Sequence, residues 1–392
     1  MYLACSPTCS ETKIYLSLLA QRANSNPMTI ELKLDYLPRL PRRKDWRIGC
    51  IGAGFIMRDC HLVAYRQAGF NPIAITSRNV ENAAAVARQH AIPKVHNSVA
   101  DLLADKSIEI LDVAVPPDLQ ADVLRQAAEH GTHLRGILAQ KPLAMSVADA
   151  KDVVERCRKA GIALAVNQNM RYDQSIRAMK DILNRGWLGT PVLATIEMRA
   201  IPHWMPWSEK LPSLATFVMS IHHLDTFRYW FGTPDRVLAS TRPDPRTKFP
   251  HTDGINLYIL EYDSGMRATS WDDVWTGPAR EGSQSDIAIR WRIEGTDGLA
   301  RGTIGWPSYP AKAPSTLDFT VKHQPGYWLS PRWSEVWFPD AFVGTMAQLL
   351  CAVEEGREPE ISGRDNIDTI ALCEAMFAGA REHRVTTVRE FL

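Results

Sequence analysis

The stretch Ile51-Gly52-Ala53-Gly54-Phe55-Ile56-Met57 constrains this chain more than any other. It sits between a short apolar run, 47–51, and a helical pattern, 55–68. Gly52 allows a tight turn. Gly54 lets the backbone approach a pyrophosphate lying on the helix N-terminus, with Phe55 and Ile56 behind it. Met57 occupies the place of a third glycine. The surroundings repeat the alternation. Strand-like runs at 72–76, 110–115, 134–138 and 162–166 are separated by apolar residues at helical spacing over 80–90, 118–130 and 147–160. A parallel return needs a crossover, so this order implies βαβ units and a parallel sheet. Gly131 and Gly161 fit as helix stops. The reading is a dinucleotide-binding Rossmann domain, doubly wound, over 46–166.

After about Asn167 the texture changes. One helix, 173–184, is followed by strand-type segments at 192–199, 255–262, 266–271, 287–294 and 299–304. Turns such as Asp263-Ser264-Gly265 separate several of them, as in hairpins and meanders. A helix over 214–231 interrupts this set, and helices at 341–355 and 366–383 close the chain. An α+β domain with a large, mostly antiparallel open sheet is expected over 167–392, holding substrate and building an oligomer. Residues 1–45 read as an extension. Within it 28–45 has no period and is expected to be an extended arm. The first 27 residues look dispensable, with Met28 the expected natural start.

With 392 residues the chain is too long for one ordinary core. A net charge of +1 argues against a nucleic-acid groove or an anionic membrane surface. No apolar run approaches the roughly 20 residues that span a bilayer. The seven cysteines are scattered, without a C-x-x-C pair. They read as free thiols in a reducing compartment, so a cytoplasmic protein is expected. No histidine pair or Cys/His cluster has metal-ligand spacing.

The second strand of an NAD-binding Rossmann unit should end on an acid that accepts from the ribose 2′-hydroxyl. Here it runs into Ser77-Arg78, with no acid until Glu81. Ser77 and Arg78 suit the 2′-phosphate of NADP. Arg78 stacking on an adenine would suit either cofactor. NAD or NADP is expected, with a slight lean to NADP.

Three further motifs occur in order: Val115-Pro116-Pro117, Gln140-Lys141-Pro142-Leu143-Ala144, and Ile221-His222-His223-Leu224-Asp225. From about Trp46 onward the chain resembles the Gfo/Idh/MocA (glucose–fructose oxidoreductase and inositol dehydrogenase) family. Its marks are a Glu-Lys-Pro after the fifth strand and an Asp-x-Gly-x-His on a helix of the second domain. Gln140 stands in place of the Glu, and Val218 and Ser220 in place of the Asp and Gly. The resemblance implies NAD(P)-dependent hydride transfer at a secondary alcohol of a sugar, inositol or sugar acid. Lys141 would hold the hydroxyl, with a cis Lys141–Pro142 bond. His222 would be the acid/base, since its ordinary pKa lies near neutrality. Gly52, Gly54, Phe55, Ile56, Ser77, Arg78, Pro116, Gln140 and Lys141 would line the cofactor.

Substrate contacts are expected from Asn167, Arg171, His203, Asp225 and Trp271. Arg171 serves equally as a salt bridge at the domain junction, with Asp173 its obvious partner. Asp225 is read either as partly orienting His222 or as part of a packing network. Tryptophan faces suit pyranose rings, although core and interface packing explains most of them. The resemblance implies a small-molecule partner and a homo-oligomer, dimer or tetramer. Two relatives of the reaction stay open: a glycoside cleavage that recycles bound NAD, and a dinucleotide sensor without turnover.

Overall fold

The computed structural model describes residues 32–199, 207–213, 215–275, 286–305, 311–322 and 324–392. The chain divides into two compact units, 1–34 and 35–392. Only 32–34 of the first are described, and all that follows concerns the second.

The first sheet contains β1 (Arg47–Ile51), β2 (Asn71–Thr76), β3 (Lys94–Val95), β4 (Ile110–Val113), β5 (Gly136–Gln140) and β6 (Ala163–Asn167). Their order is β3-β2-β1-β4-β5-β6, all parallel. Every residue of β4 and β5 is buried, as expected of strands covered on both faces. Between the strands run a π-helical turn (Ile56–His61) continued by α1 (Leu62–Ala68), then α2 (Val80–His90), α3 (Val99–Ala104), α4 (Pro117–His130) and α5 (Val147–Lys159). Asn79, Ser98 and Ser146 cap α2, α3 and α5 with their side chains. The short pieces β3 and α3 carry too few residues to show a period.

The second sheet has seven strands, in the order β13-β12-β11-β7-β10-β9-β8. They are β7 (Pro191–Arg199), β8 (Arg236–Arg242), β9 (Ile255–Glu261), β10 (Arg267–Asp273), β11 (Ala288–Gly295), β12 (Gly298–Ile304) and β13 (Thr316–Val321). All pairings are antiparallel except β7 with β10. β8 and β13 had no clear alternation in the sequence. β8 is polar toward its end, and β13 follows the undescribed stretch 306–310. Helices α6 (Gln174–Asn184) and α7 (Ile221–Phe231) belong to the same half, and a second π-helical turn, Thr216–Ser220, leads into α7. The chain closes with α8 (Ala341–Glu355) and α9 (Gly363–Glu382). α8 packs back on β5 and β6, and α9 on α5, α7 and β8.

Residues 35–45 have no regular structure. They are held by acids of α8 and β4's entrance. Arg39 pairs with Glu355, the Arg43 amide donates to Glu354 (2.7 Å), and the Arg43 guanidinium spans both oxygens of Glu109 (3.0 and 2.8 Å). Five cysteines (Cys50, Cys60, Cys157, Cys351 and Cys373) are free and buried. Among the described residues no helix is long and apolar enough to cross a membrane.

One ionic cluster fastens three elements. Arg171, just after β6, donates to both oxygens of Asp225 on α7 (2.6 and 2.7 Å) and to Asp365 on α9 (2.7 Å). Arg228 on α7 also reaches Asp365 (3.0 Å) and Thr369 (2.7 Å). Arg171 and Asp225 are almost fully buried. Removing Arg171 leaves the dehydrated Asp225 with no cation nearer than Arg228 at 3.9 Å among the described residues. Arg171→Met should therefore lower the unfolding free energy by about 3–5 kcal/mol, read from denaturant titration. A loss below about 1 kcal/mol, the scale of a surface pair, would show that the helices are fastened by something else.

Candidate active site

A cavity of about 820 Å³ opens at the carboxyl ends of β1, β4 and β5. Ligands of doubly wound sheets sit there, where the strand order reverses. Its walls begin with the turn after β1. Gly52 has φ +111 and its N–H donates to the Thr76 carbonyl (2.9 Å). A Cβ on Gly52 would lie 2.1 Å from the Ala114 carbonyl oxygen. A Cβ on Gly54 would meet no protein atom within 4 Å and would stand in the open cavity. The turn is therefore closed against β4 on one side and open for a ligand phosphate on the other. Met57, at the third glycine position, is fully buried, and the helix starts with a π-helical turn there.

At the far end of β2 the wall is made of Ser77, Arg78, Asn79 and Asn82, with Asn97 and Ser98 beside them. Ser77 Oγ donates to the Asn79 carbonyl (2.5 Å). Among the described residues that line the cavity there is no acid.

The other end is built by Lys141 and His222. The Lys141–Pro142 bond is cis. Gln140 Oε1 accepts from the Lys141 backbone N–H (2.7 Å), which folds that side chain back on its own strand end. A glutamate there could make the same bond. Gln120, on α4, donates through Nε2 to the carbonyls of Gln140 and Pro142, the latter at 2.6 Å. Lys141 Nζ donates to the Val218 carbonyl (2.5 Å) in the π-helical turn of the second domain. Burial without a carboxylate partner pulls the Lys141 pKa down to about 7. His222 follows on α7. Burial, and then the charges of Lys141 and His223, hold it well below the usual histidine range. His223 turns the other way and pairs with Asp272 of β10 (2.8 Å).

All nine residues named from the sequence for the cofactor line this one cavity, as does His222. The four described residues named for substrate do not. Asn167 is buried below it, where its Nδ2 contacts His61 Nε2 (2.7 Å); His61 Nδ1 is 2.7 Å from Asp112, which also accepts from Tyr65 (2.6 Å). Arg171 and Asp225 are consumed by each other, so Arg171 is free for no sugar hydroxyl and Asp225 does not orient His222. Asp173 is not Arg171's partner either: it caps α6 and accepts from Ser315 (2.5 Å), and burial raises its pKa to about 6. Trp271 lies on the opposite face of β10 from Ser270 and Asp272, with Arg199 over its ring at 5.8 Å. His203 lies outside the described residues.

The sequence reading missed Asn169, Met219, Trp337 and Phe338, which line the cavity near Lys141 and His222. Asn169 is two positions past a residue that was named. Trp337 had no mark separating it from the other tryptophans.

Comparison with known proteins now adds the family. The model for the oxidoreductase family with an NAD-binding Rossmann fold, GFO_IDH_MocA, matches residues 46–168, and a GFO/IDH/MocA C-terminal domain model matches 176–301. The chain belongs to the Gfo/Idh/MocA family. It is an NAD(P)-dependent oxidoreductase, and the glycine turn suits the dinucleotide.

A D-apiose dehydrogenase of Paraburkholderia graminis is 25% identical over 350 residues, 88% of this chain and 90% of the relative. A D-xylose 1-dehydrogenase (NADP(+)) of Haloferax volcanii is 26% identical over 336 residues, 85% and 96%. An oxidoreductase from Agrobacterium radiobacter, solved with NAD+, L-tartaric acid and magnesium, superposes with a TM-score of 0.75 at 23% identity, covering 89% of this chain and all of that one.

The turn's geometry predicts two different failures. Gly52→Ala should strain the turn itself, lowering both thermal stability and dinucleotide affinity. Gly54→Ala should leave the melting temperature unchanged but weaken dinucleotide binding about tenfold or more, because its Cβ enters the phosphate space. Fluorescence titration with NADH and NADPH beside thermal melts separates the two; unchanged affinity in Gly54→Ala would place the phosphate elsewhere.

Proposed function

We propose that this enzyme transfers hydride reversibly between NADP or NAD and a secondary alcohol carbon of a sugar, inositol or sugar acid. The observation that carries the reading is the meeting of Lys141 and His222 at one end of a cavity whose other end is the glycine turn. The names of the D-apiose and D-xylose dehydrogenases support the substrate class. The bound dinucleotide supplies the hydride acceptor or donor.

The chain's own work is on the proton. An alcohol carbon gives up hydride readily only as its hydroxyl proton leaves. Lys141 Nζ, with one hydrogen on the Val218 carbonyl, has capacity left to hold that hydroxyl. His222, neutral at working pH, can accept from it. Lys141 is the more basic of the two, so the proton comes to rest on its amine. In the reverse direction the ammonium returns it to the forming alcohol.

As pH rises through about 7, Lys141 loses its proton. The free amine serves oxidation and the ammonium serves reduction. kcat/KM for oxidation should therefore climb through about pH 7 and level off above it, while reduction declines. A panel of sugars, inositols and sugar acids, assayed by reduced-nicotinamide absorbance with NAD and NADP in parallel, finds the substrate. Lys141→Met should lower kcat/KM by about 10²–10⁴ and abolish the pH step, and His222→Ala should fall in the same range. A panel with no turnover, despite tight dinucleotide binding, would overturn the reading.

For the cofactor we favour NADP. Arg78 stands at the wall beyond β2, no acid is among the described residues of the cavity lining, and a guanidinium matches a 2′-phosphate. Arg78→Ala should weaken NADPH binding about tenfold or more and barely move NADH, on the scale of a charge-assisted hydrogen bond. Equal effects on both would return the arginine to adenine stacking.

A homo-oligomer is the assembly we propose. Leu257, Ile259 and Leu193 are exposed on the open face of the second sheet, beside Trp271. A second copy of the same face would cover them.

A further inference from the structure

Among the described residues no hydrogen bond tethers the His222 side chain. Its Nδ1 is buried without a hydrogen-bond partner. One turn earlier Val218 offers only a carbonyl, which Lys141 takes. One turn later Asp225 is spent on Arg171 and Thr369. The neighbouring His223 faces Asp272. Yet a proton-transfer group must be held in one orientation to act on one hydroxyl.

What meets the His222 ring is Trp337. Their centroids are 5.7 Å apart with planes at 85°, edge to face. Trp337 is itself pinned. It is 1% exposed, and its Nε1–H donates to Asn169 Oδ1 (2.8 Å). Phe338 packs edge-on against it at 4.5 Å, and Phe342 against Phe338 at 5.1 Å. Turning the indole would strand a buried N–H, so the ring is a fixed wall. Asn169 follows β6, so the wall is referenced to the end of the sheet that holds the dinucleotide. Asn169, Trp337 and Phe338 line the same cavity as Lys141 and His222.

We propose that Trp337, locked by Asn169, is the positioning residue for His222, replacing by ring packing the hydrogen-bonded carboxylate that Val218 excludes. This rests on the proton-transfer role given above to His222. The positioning itself is a property of the enzyme before any substrate binds, and it can be read without turnover.

The test uses the full chain labelled with ¹³C-histidine. Trp337→Phe keeps a ring but loses the N–H anchor; Asn169→Ala removes the anchor from the other side. Each should shift or broaden the ring signal assigned to His222, while NADH and NADPH affinities stay at wild-type values and show the fold intact. With an alcohol that the panel finds active, kcat should fall about tenfold or more, with KM nearly unchanged, the split expected when only orientation is lost. The double variant should be no worse than either single one, since both break one contact.

An unmoved His222 signal in both single variants would overturn the positioning role. So would losses that simply add, or a Trp337→Phe defect that appears only as weaker dinucleotide binding. If the wild type turns over nothing in the panel but the His222 signal still moves, the positioning stands and the hydride-transfer reading fails.

Discussion

The pairing of the buried Arg171 with buried Asp225 and half-buried Asp365 ties three parts of the chain that are far apart in sequence. It joins the exit of the Rossmann sheet to α7 and α9. Dehydrated ions are costly, and only near-complete mutual satisfaction makes such a cluster tolerable. Its bonds also have directions, unlike apolar packing. α7 therefore meets the end of β6 in one register, and His222, three residues before Asp225, is delivered to the cavity by the same contact. An arginine that looked available for substrate is thus spent on aligning the two halves.

The site is organised by what it lacks. No acid lines the described cavity, so Lys141 pays its desolvation with only a backbone carbonyl for company. A carboxylate beside it would hold the ammonium charged far above neutrality. Without one, its proton affinity falls to the range in which it can change hands at neutral pH. Two of the three departures from the family motifs act together here. Gln140 is neutral and turned onto the backbone, and Val218 contributes a carbonyl instead of a side chain.

The second sheet has two unlike faces. Ala194, Ile196, Tyr258, Leu260, Ser270, Asp272 and Trp291 are buried on the inner face, where Asp272 meets His223 of α7. Residues one position along point outward, Trp271 among them. Period-two alternation makes this unavoidable once one face is buried. The same rule that allows Asp272 to hold His223 removes Trp271 from the cavity.

Much of the fold was legible in the sequence. The Gly52–Gly54 turn, the strand–helix alternation and the shift to β-type segments after Asn167 are local patterns, and local patterns survive as elements. So is Lys141, because the residue after a parallel strand must emerge at the ligand edge. The substrate-side contacts were not legible. Which partner Arg171 takes, whether Asn167 faces His61 or the cavity, and which tryptophan meets His222 depend on residues 50 to 200 positions away. Sequence by itself determined the parallel Rossmann sheet, the mostly antiparallel second sheet and the cofactor edge, through periodicity and glycine chemistry. Only the tertiary structure decided which polar side chains are consumed as clasps and which are left to the cavity, because that is settled by desolvation and pairing across the packed interior.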